Sequence, residues 1–261
     1  MIRTGVIGTD ETPYLCIADD LPEMMQLAEL SLKEMKHVFI AQPDQLKRKE
    51  MQYLKKLAEE SDVVLQFGTG YKYCPAYHKL AETMQVAKLV DIRHQLVNSS
   101  EWHTKLNREL SFDFDFVTSV LNTNIRKYSI RTWAKSEKSL DVLHCSLECD
   151  NGNMVNLMAY TVAEGDPKLE MTFTSSDAVI RADIFKSVIE KQYRTCNKLE
   201  NFILDAYNEK AIYKYYLENF YRAICNDSDA IRSIDKQFQN RVAADDIVER
   251  IRFVELSESF S

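Results

Sequence analysis

Nothing in this chain resembles a membrane span: no apolar run approaches the ~20 residues that a bilayer-crossing helix needs. The opening residues, Met1-Ile2-Arg3-Thr4-Gly5, carry neither a long apolar segment nor a small-residue cleavage site, so a secretory signal is not expected and the cytoplasm is the expected compartment. Positive charge is also short. Lys and Arg number 33 against 40 Asp and Glu, a net charge of −7, and no clustered basic face offers itself to phosphates, which excludes a nucleic-acid partner. The six cysteines (Cys16, Cys74, Cys145, Cys149, Cys196 and Cys225) include no C-x-x-C pair. On a strand, Cys145 and Cys149 would share a face roughly 13 Å apart, too far for one metal. Buried, reduced thiols are expected instead. The five histidines are dispersed without an i, i+4 pair, so no metal site is expected. There is no internal repeat and no low-complexity segment.

What remains is ordinary for a folded protein: 261 residues, 45% hydrophobic and 28% charged, enough for one large domain or two modest ones. Ile2–Ile7 reads as a strand entering a turn at Gly8, and Leu15–Ala18 as a second strand. Asp19, Pro22 and Glu23 then have the chemistry of a helix start. Met24, Leu27, Ala28, Leu32 and Met35 are spaced for one buried helical face. His37–Ile40 is a third strand. A helix starting at Asp44 carries Leu46, Met51, Leu54, Leu57 and Ala58, and Val63–Phe67 is a fourth strand. Alternating strands and helices predict a parallel sheet, and near-continuous apolar strands predict burial on both its faces.

From Leu89 the rhythm changes. Leu89–Val97, Tyr128–Trp133, Leu140–Cys149, Met154–Val162, Leu169–Thr174 and Val179–Ile184 read as successive strands, with Asn151-Gly152 as a hairpin turn. Ala211–Cys225 and Lys236–Glu255 read as helices. The expected fold class is therefore α/β followed by α+β: a truncated Rossmann-like parallel sheet in 1–88, then a large, mostly antiparallel sheet with helices on one face in 89–261.

Particular residues carry a resemblance. Lys36-His37-Val38-Phe39-Ile40-Ala41-Gln42-Pro43 resembles the G-K-H-V-hydrophobic-x-E-K-P motif of the Gfo/Idh/MocA oxidoreductases. Gly68-x-Gly70-x-Lys72-Tyr73-x-Pro75 is similar to that family's G-x-N-x-R-F-x-P element. Asn151-Gly152 with its following strands resembles the substrate-domain meander, and Tyr216–Ile224 the late helix. The resemblance covers most of the chain. It implies NAD(P)-dependent hydride transfer on a sugar or related polyol, a cleft for a small sugar-like ligand, and a homodimer formed through the open face of the large sheet.

The departures fall on the chemistry. Ala41 and Gln42 stand where the family has its glutamate and catalytic lysine, and Gln42 has no titratable group. The acid/base pattern D-x-x-x-H-x-x-D is matched by Arg108, Phe112 and Asp115, so only the last aspartate remains. After the first strand, Gly8-Thr9-Asp10-Glu11 brings negative charge to the family's phosphate-binding turn, and no phosphate-binding helix follows. The segment for strands two and three, with its ribose-reading acid, is absent. Because the first connection is too short for a parallel crossover, Ile2–Ile7 is expected to pair antiparallel with Leu15–Ala18 or to lie on the sheet edge.

No catalytic and no cofactor-binding residue is therefore expected. Gln42, Lys72 and Asp115 are the candidate substrate contacts, weighed against a relic at Gln42 and ordinary solvated charges at Lys72 and Asp115. Phe112, Phe114 and Phe116 read as packing, with a sugar-stacking surface as the alternative. The aromatic helix of Tyr213, Tyr215, Tyr216, Phe220 and Tyr221 reads as core or subunit contact. The expected function is a dimeric binding or scaffolding protein that has lost hydride transfer. The alternatives are an active NAD(P)-dependent oxidoreductase on a sugar derivative with an altered cofactor site, and a small-ligand sensor.

Overall fold

The computed structural model describes residues 4–7, 14–17, 23–41, 43, 46–68, 74–83, 87–97, 102–133, 140–205 and 209–258. The elements in the first third are β1 (Thr4–Ile7), β2 (Tyr14–Ile17), α1 (Met24–Lys33), β3 (His37–Ile40), α2 (Arg48–Glu60), β4 (Leu65–Phe67) and α3 (Pro75–Thr83). Then follow β5 (Leu89–Val97), α4 (Trp102–Val120), β6 (Ile125–Trp133), β7 (Val142–Cys149), β8 (Met154–Val162) and β9 (Lys168–Thr174). The chain closes with β10 (Ala178–Asp183), β11 (Val188–Tyr193), β12 (Leu199–Ile203), α5 (Glu209–Ile224) and α6 (Ser228–Glu258). Two compact units result, Met1–Gly70 with Glu209–Asp245, and Tyr71–Asn208 with Asp246–Ser261. Division by compactness thus falls at other points than the change of rhythm at Leu89.

In the first unit the sheet order is β1-β2-β3-β4. β2, β3 and β4 are parallel, while β1 pairs antiparallel with β2, from Thr4 opposite Ile17 to Ile7 opposite Tyr14. The six residues between Ile7 and Tyr14 are too few for a parallel crossover, which needs about a dozen, so a hairpin is what this connection allows. Val38, Ile40, Leu65 and Phe67 pack on one face against Met24, Ala28 and Leu32 of α1 and Met51, Leu54 and Ala58 of α2. Phe39 and Gln66, partners in register, take the other face. There the Phe39 ring lies 5.7 Å from Phe220 of α5, and Gln66 Nε2 lies 3.3 Å from Gln237 Oε1 of α6. Both faces are buried, as the unbroken apolar strands predict.

The helix ends differ from the sequence reading. α1 stops at Lys33, and Met35, with φ +58° and 67% exposure, ends the apolar stripe instead of extending it. α2 begins at Arg48, where the Lys47 backbone N–H donates to the Glu50 carboxylate at 2.7 Å, half of a capping box. Asp19, Pro22 and Asp44 lie outside the described residues.

The second unit holds an eight-stranded sheet of order β12-β11-β10-β9-β5-β8-β7-β6. Every pair is antiparallel except β5 with β8. Alternation separates its faces. Val90, Ile92, His94, Leu143, Cys145, Leu147, Val155, Leu157, Leu169, Met171 and Phe173 are buried, while Arg93, Met154 and Met158 are exposed. Four elements go beyond the reading above: α3, α4, and the charge-interrupted strands β11 and β12 at one sheet edge. α6 also starts earlier, at Ser228. The β7–β8 connection is a three-residue loop closed by Gly152 N–H to Cys149 O at 3.0 Å and Cys149 N–H to Asn153 O at 2.9 Å. Only Gly152 takes positive φ, +79°, so a bulged hairpin replaces the expected two-residue turn.

Candidate functional site

In a parallel sheet ligands bind beyond the carboxyl ends of the strands, so Ala41 after β3 and Gly68 after β4 mark the place to look. The Gly68 N–H donates to Ile40 O at 2.7 Å. A Cβ on Gly68 would sit 2.4 Å from Ala41 O, so these two strand ends approach as closely as they do because residue 68 is glycine. Ala41 is buried and carries no reactive group. Gln42 and Lys72, two of the three expected contacts, lie outside the described residues, as do Gly8, Asp10 and Glu11.

β1 decides what this sheet can hold. Ile7, the residue before Gly8, is paired with Tyr14 at the amino end of β2. The chain therefore leaves β1 at the end of the sheet opposite the carboxyl ends of β2, β3 and β4. A dinucleotide-binding turn needs the reverse, a first strand delivering its glycines to the carboxyl ends and feeding a helix N-terminus. The residues present do not fit the pyrophosphate of a dinucleotide in the family's manner.

His37 is structural, as the strand motif implies. Its Nδ1 accepts the Val64 backbone N–H at 2.9 Å, which requires an unprotonated nitrogen. Burial lowers its pKa, with Asp62 opposing.

Asp115, the third expected contact, is on α4 and fully buried, so it is not a solvated surface charge. From Glu109 to Thr118 that helix is buried nearly all round. Phe114 and Phe116 are core residues, the Phe116 ring meeting Tyr77 edge-on at 5.5 Å. The alternating phenylalanines therefore pack on a helix, not on a strand. Ser111 and Thr118 satisfy their hydroxyls on the carbonyls of Asn107 and Phe114, at 2.7 and 2.6 Å.

The same helix forms the densest group of buried titratable side chains among the described residues. His94 of β5 lies under it, 1% exposed, with Nδ1 2.9 Å from Asp113 Oδ2 and Nε2 3.7 Å from Glu109 Oε2. Arg108 meets the other Glu109 oxygen at 3.3 Å. The sequence reading gave His94 no role. A signal was present: His94 interrupts the apolar series Val90, Ile92, Leu96 on an alternating strand, and Glu109 and Asp113 are i, i+4 among Leu106, Leu110 and Val117. This group is not a metal centre, because the two ring nitrogens point to opposite carboxylates. Among the described residues no cluster of three or more His, Cys, Asp or Glu has metal-binding geometry.

The thiols offer no nucleophile in the core. Burial pushes Cys74 up to about 11 and Cys145 up to about 12, and only the thiolate attacks. Cys149 is buried as well, but Cys196 and Cys225 are exposed, against the expectation of buried thiols throughout. No described helix is long and apolar enough to cross a membrane.

No protein-family model matches the chain, and no curated protein matches it. Solved structures do. A dehydrogenase from Chromobacterium violaceum is 16% identical, with a TM-score of 0.75 over 94% of this chain and 76% of that one. A Gfo/Idh/MocA family oxidoreductase from Vibrio cholerae is 14% identical, with a TM-score of 0.73 over 90% and 77%. A UDP-N-acetylglucosamine 3-dehydrogenase from Acidithiobacillus ferrooxidans is 18% identical, with a TM-score of 0.68 over 89% and 78%. The fold is that of the Gfo/Idh/MocA oxidoreductases, in a shortened form.

Proposed function

We propose that this chain is a non-catalytic relative of the Gfo/Idh/MocA oxidoreductases, acting as a dimeric binding or scaffolding protein without a dinucleotide cofactor. The reversed first strand carries the reading: with Ile7 at the amino end of β2, the cofactor's phosphates lose the glycine turn and helix that hold them. Ala41 in place of the motif's glutamate, Gln42 in place of its lysine and Phe112 in place of the acid/base histidine support it further. None of the three can move a proton.

The exposed face of the large sheet supports self-association. Met154 and Met158 of β8 and Trp133 of β6 are 42%, 41% and 57% exposed on it, apolar side chains of the kind a partner surface covers. A sugar-like ligand is the class we assign to Gln42, Lys72 and Asp115, since the similar folds include an enzyme named for UDP-N-acetylglucosamine.

Calorimetric titration with NAD(H) and NADP(H) tests the cofactor reading. No heat at millimolar cofactor is the expected result. Low-micromolar binding, about −8 kcal/mol, would overturn it in favour of an active oxidoreductase with a rebuilt site. A monomeric mass in solution would remove the dimer.

A further inference from the structure

We infer that β12, the edge strand of the eight-stranded sheet, pairs antiparallel with β12 of a second copy about a two-fold axis at Asn201, joining the two sheets through backbone hydrogen bonds. The register of β12 on β11 fixes which backbone groups are left over. Tyr193 N–H donates to Lys198 O at 3.1 Å, and Leu204 N–H to Ser187 O at 2.9 Å. Bonded pairs alternate with unbonded ones in an antiparallel ladder, so Glu200 and Phe202 turn their backbone toward Lys191 and Ile189, their partners in register. Leu199, Asn201 and Ile203 turn theirs outward, on the side where β12 ends the strand order. Their side chains are exposed as well, Ile203 at 84%, so this edge is open to solvent.

Natural sheets blunt their edges with short strands, bulges and charge, and the other edges here are blunted. β1 and β4, which end the smaller sheet, are four and three residues long. β6 carries a bulge between Ile125 and Lys127 and exposes Arg126, Lys127 and Arg131. β12 pairs without a register shift, and Leu199, Asn201 and Ile203 bring no charge to its exposed face. The charges on its other face are already matched: Glu200 accepts the Tyr193 hydroxyl at 3.0 Å and meets Lys198 Nζ at 2.5 Å.

The strand that fits this edge is its own copy. The outward residues are symmetric about Asn201, so a two-fold axis there brings each outward N–H of one copy to an outward C=O of the other. Leu199 then faces the partner's Ile203, apolar against apolar, at both ends of the pairing. Glu200 faces the partner's Phe202, so no like charges are opposed. Each copy offers one such edge, and the association closes at two copies instead of growing into a fibre. It is separate from the face contact proposed above, which uses side chains of β6 and β8 and does not need β12.

The test is amide hydrogen exchange of the full chain, read at Leu199, Asn201 and Ile203 over a range of protein concentrations. These amides should exchange slowly in concentrated protein and freely on dilution, whereas a dimer held by the sheet face alone leaves them fast. Asn201→Pro removes an outward donor that β11 does not use. Leu199 and Ile203 should then lose their protection, while the amides of Glu200 and Phe202 keep theirs. Should proline disturb β12 itself, a charge pair decides. Leu199→Lys with Ile203→Lys sets like charges across the axis and should abolish the protection; Leu199→Glu with Ile203→Lys sets unlike charges there and should restore it. Fast exchange of the wild type at every concentration overturns the proposal, whether another partner takes the edge or none does. Protection that survives Leu199→Lys with Ile203→Lys overturns it too, as does a failure of Leu199→Glu with Ile203→Lys to restore what that pair removed.

Discussion

In the first unit β3 and β4 are covered on both faces, and the polar side chains buried in that unit among the described residues are mostly neutral: Ser31, Gln66, Asn219, Gln237 and Asn240, with one guanidinium, Arg241. The eight-stranded sheet of the second unit leaves one face exposed, and on its covered side it buries ionisable groups, His94, Glu109, Asp113 and Asp115. An amide has no proton to exchange and a guanidinium keeps its own, whereas burial and a close partner move the pKa of an imidazole or a carboxyl. The two histidines state the contrast most directly. His37 accepts a backbone N–H, and burial lowers its pKa; His94 has Asp113 Oδ2 2.9 Å from its Nδ1, and burial opposes the carboxylates that raise its pKa.

Substitution on alternate strand positions should expose the difference in coverage. Phe39 faces away from the α1–α2 side yet is 1% exposed, because α5 covers it. Phe39→Ala should cost about 3–5 kcal/mol in urea unfolding, the price of emptying a core position. Met158 occupies the exposed face of β8, so Met158→Ala should stay within about 0.5 kcal/mol in the monomer. A large loss for Met158→Ala that disappears on dilution would instead report a dimer held by that face.

Local pattern made most of this readable in advance. Alternation in β5 and β8 fixed those strands to the residue, and the short Ile7–Tyr14 connection forced the antiparallel β1. β11 and β12 escaped because Glu190, Lys191 and Glu200 break up their apolar runs; they belong to the sheet through backbone pairing, and of their side chains only Ile189 is buried. Met35 was misassigned because apolar spacing cannot register a positive φ two residues past a helix end. Asp115 was found through a motif, but its burial was not, since a carboxylate in sequence looks solvated. His94 carried its signal in being the polar member of an apolar series, and its meaning needed Asp113, nineteen residues away.

Gly68 gives a smaller effect and tests how tightly the first unit's strand ends are drawn together. A methyl group there would meet backbone, Ala41 O at 2.4 Å, not a side chain able to swing aside. Gly68→Ala should therefore destabilise by about 1–3 kcal/mol. An unchanged unfolding midpoint would mean that β3 and β4 separate cheaply at their carboxyl ends and that this end of the sheet is not preorganised.

The smallest effect is also the one that separates the units by sign. His37 has a lowered pKa, set first by burial, so the unfolded chain binds its proton more readily than the folded one. Its contribution to stability is present above 6.5 and is lost as pH falls from there through the folded value. The His94 contribution runs the other way, present below 6.5 and lost as pH rises. His37→Gln, which keeps an acceptor for the Val64 N–H, should flatten the acid side of the Tm–pH profile and leave the alkaline side alone; His94→Gln should do the opposite. If both variants flatten the same side, the assignment of a lowered pKa to one sheet's histidine and a raised one to the other's fails. If each flattens its own side, the two units respond to protons independently, although α6 runs through both.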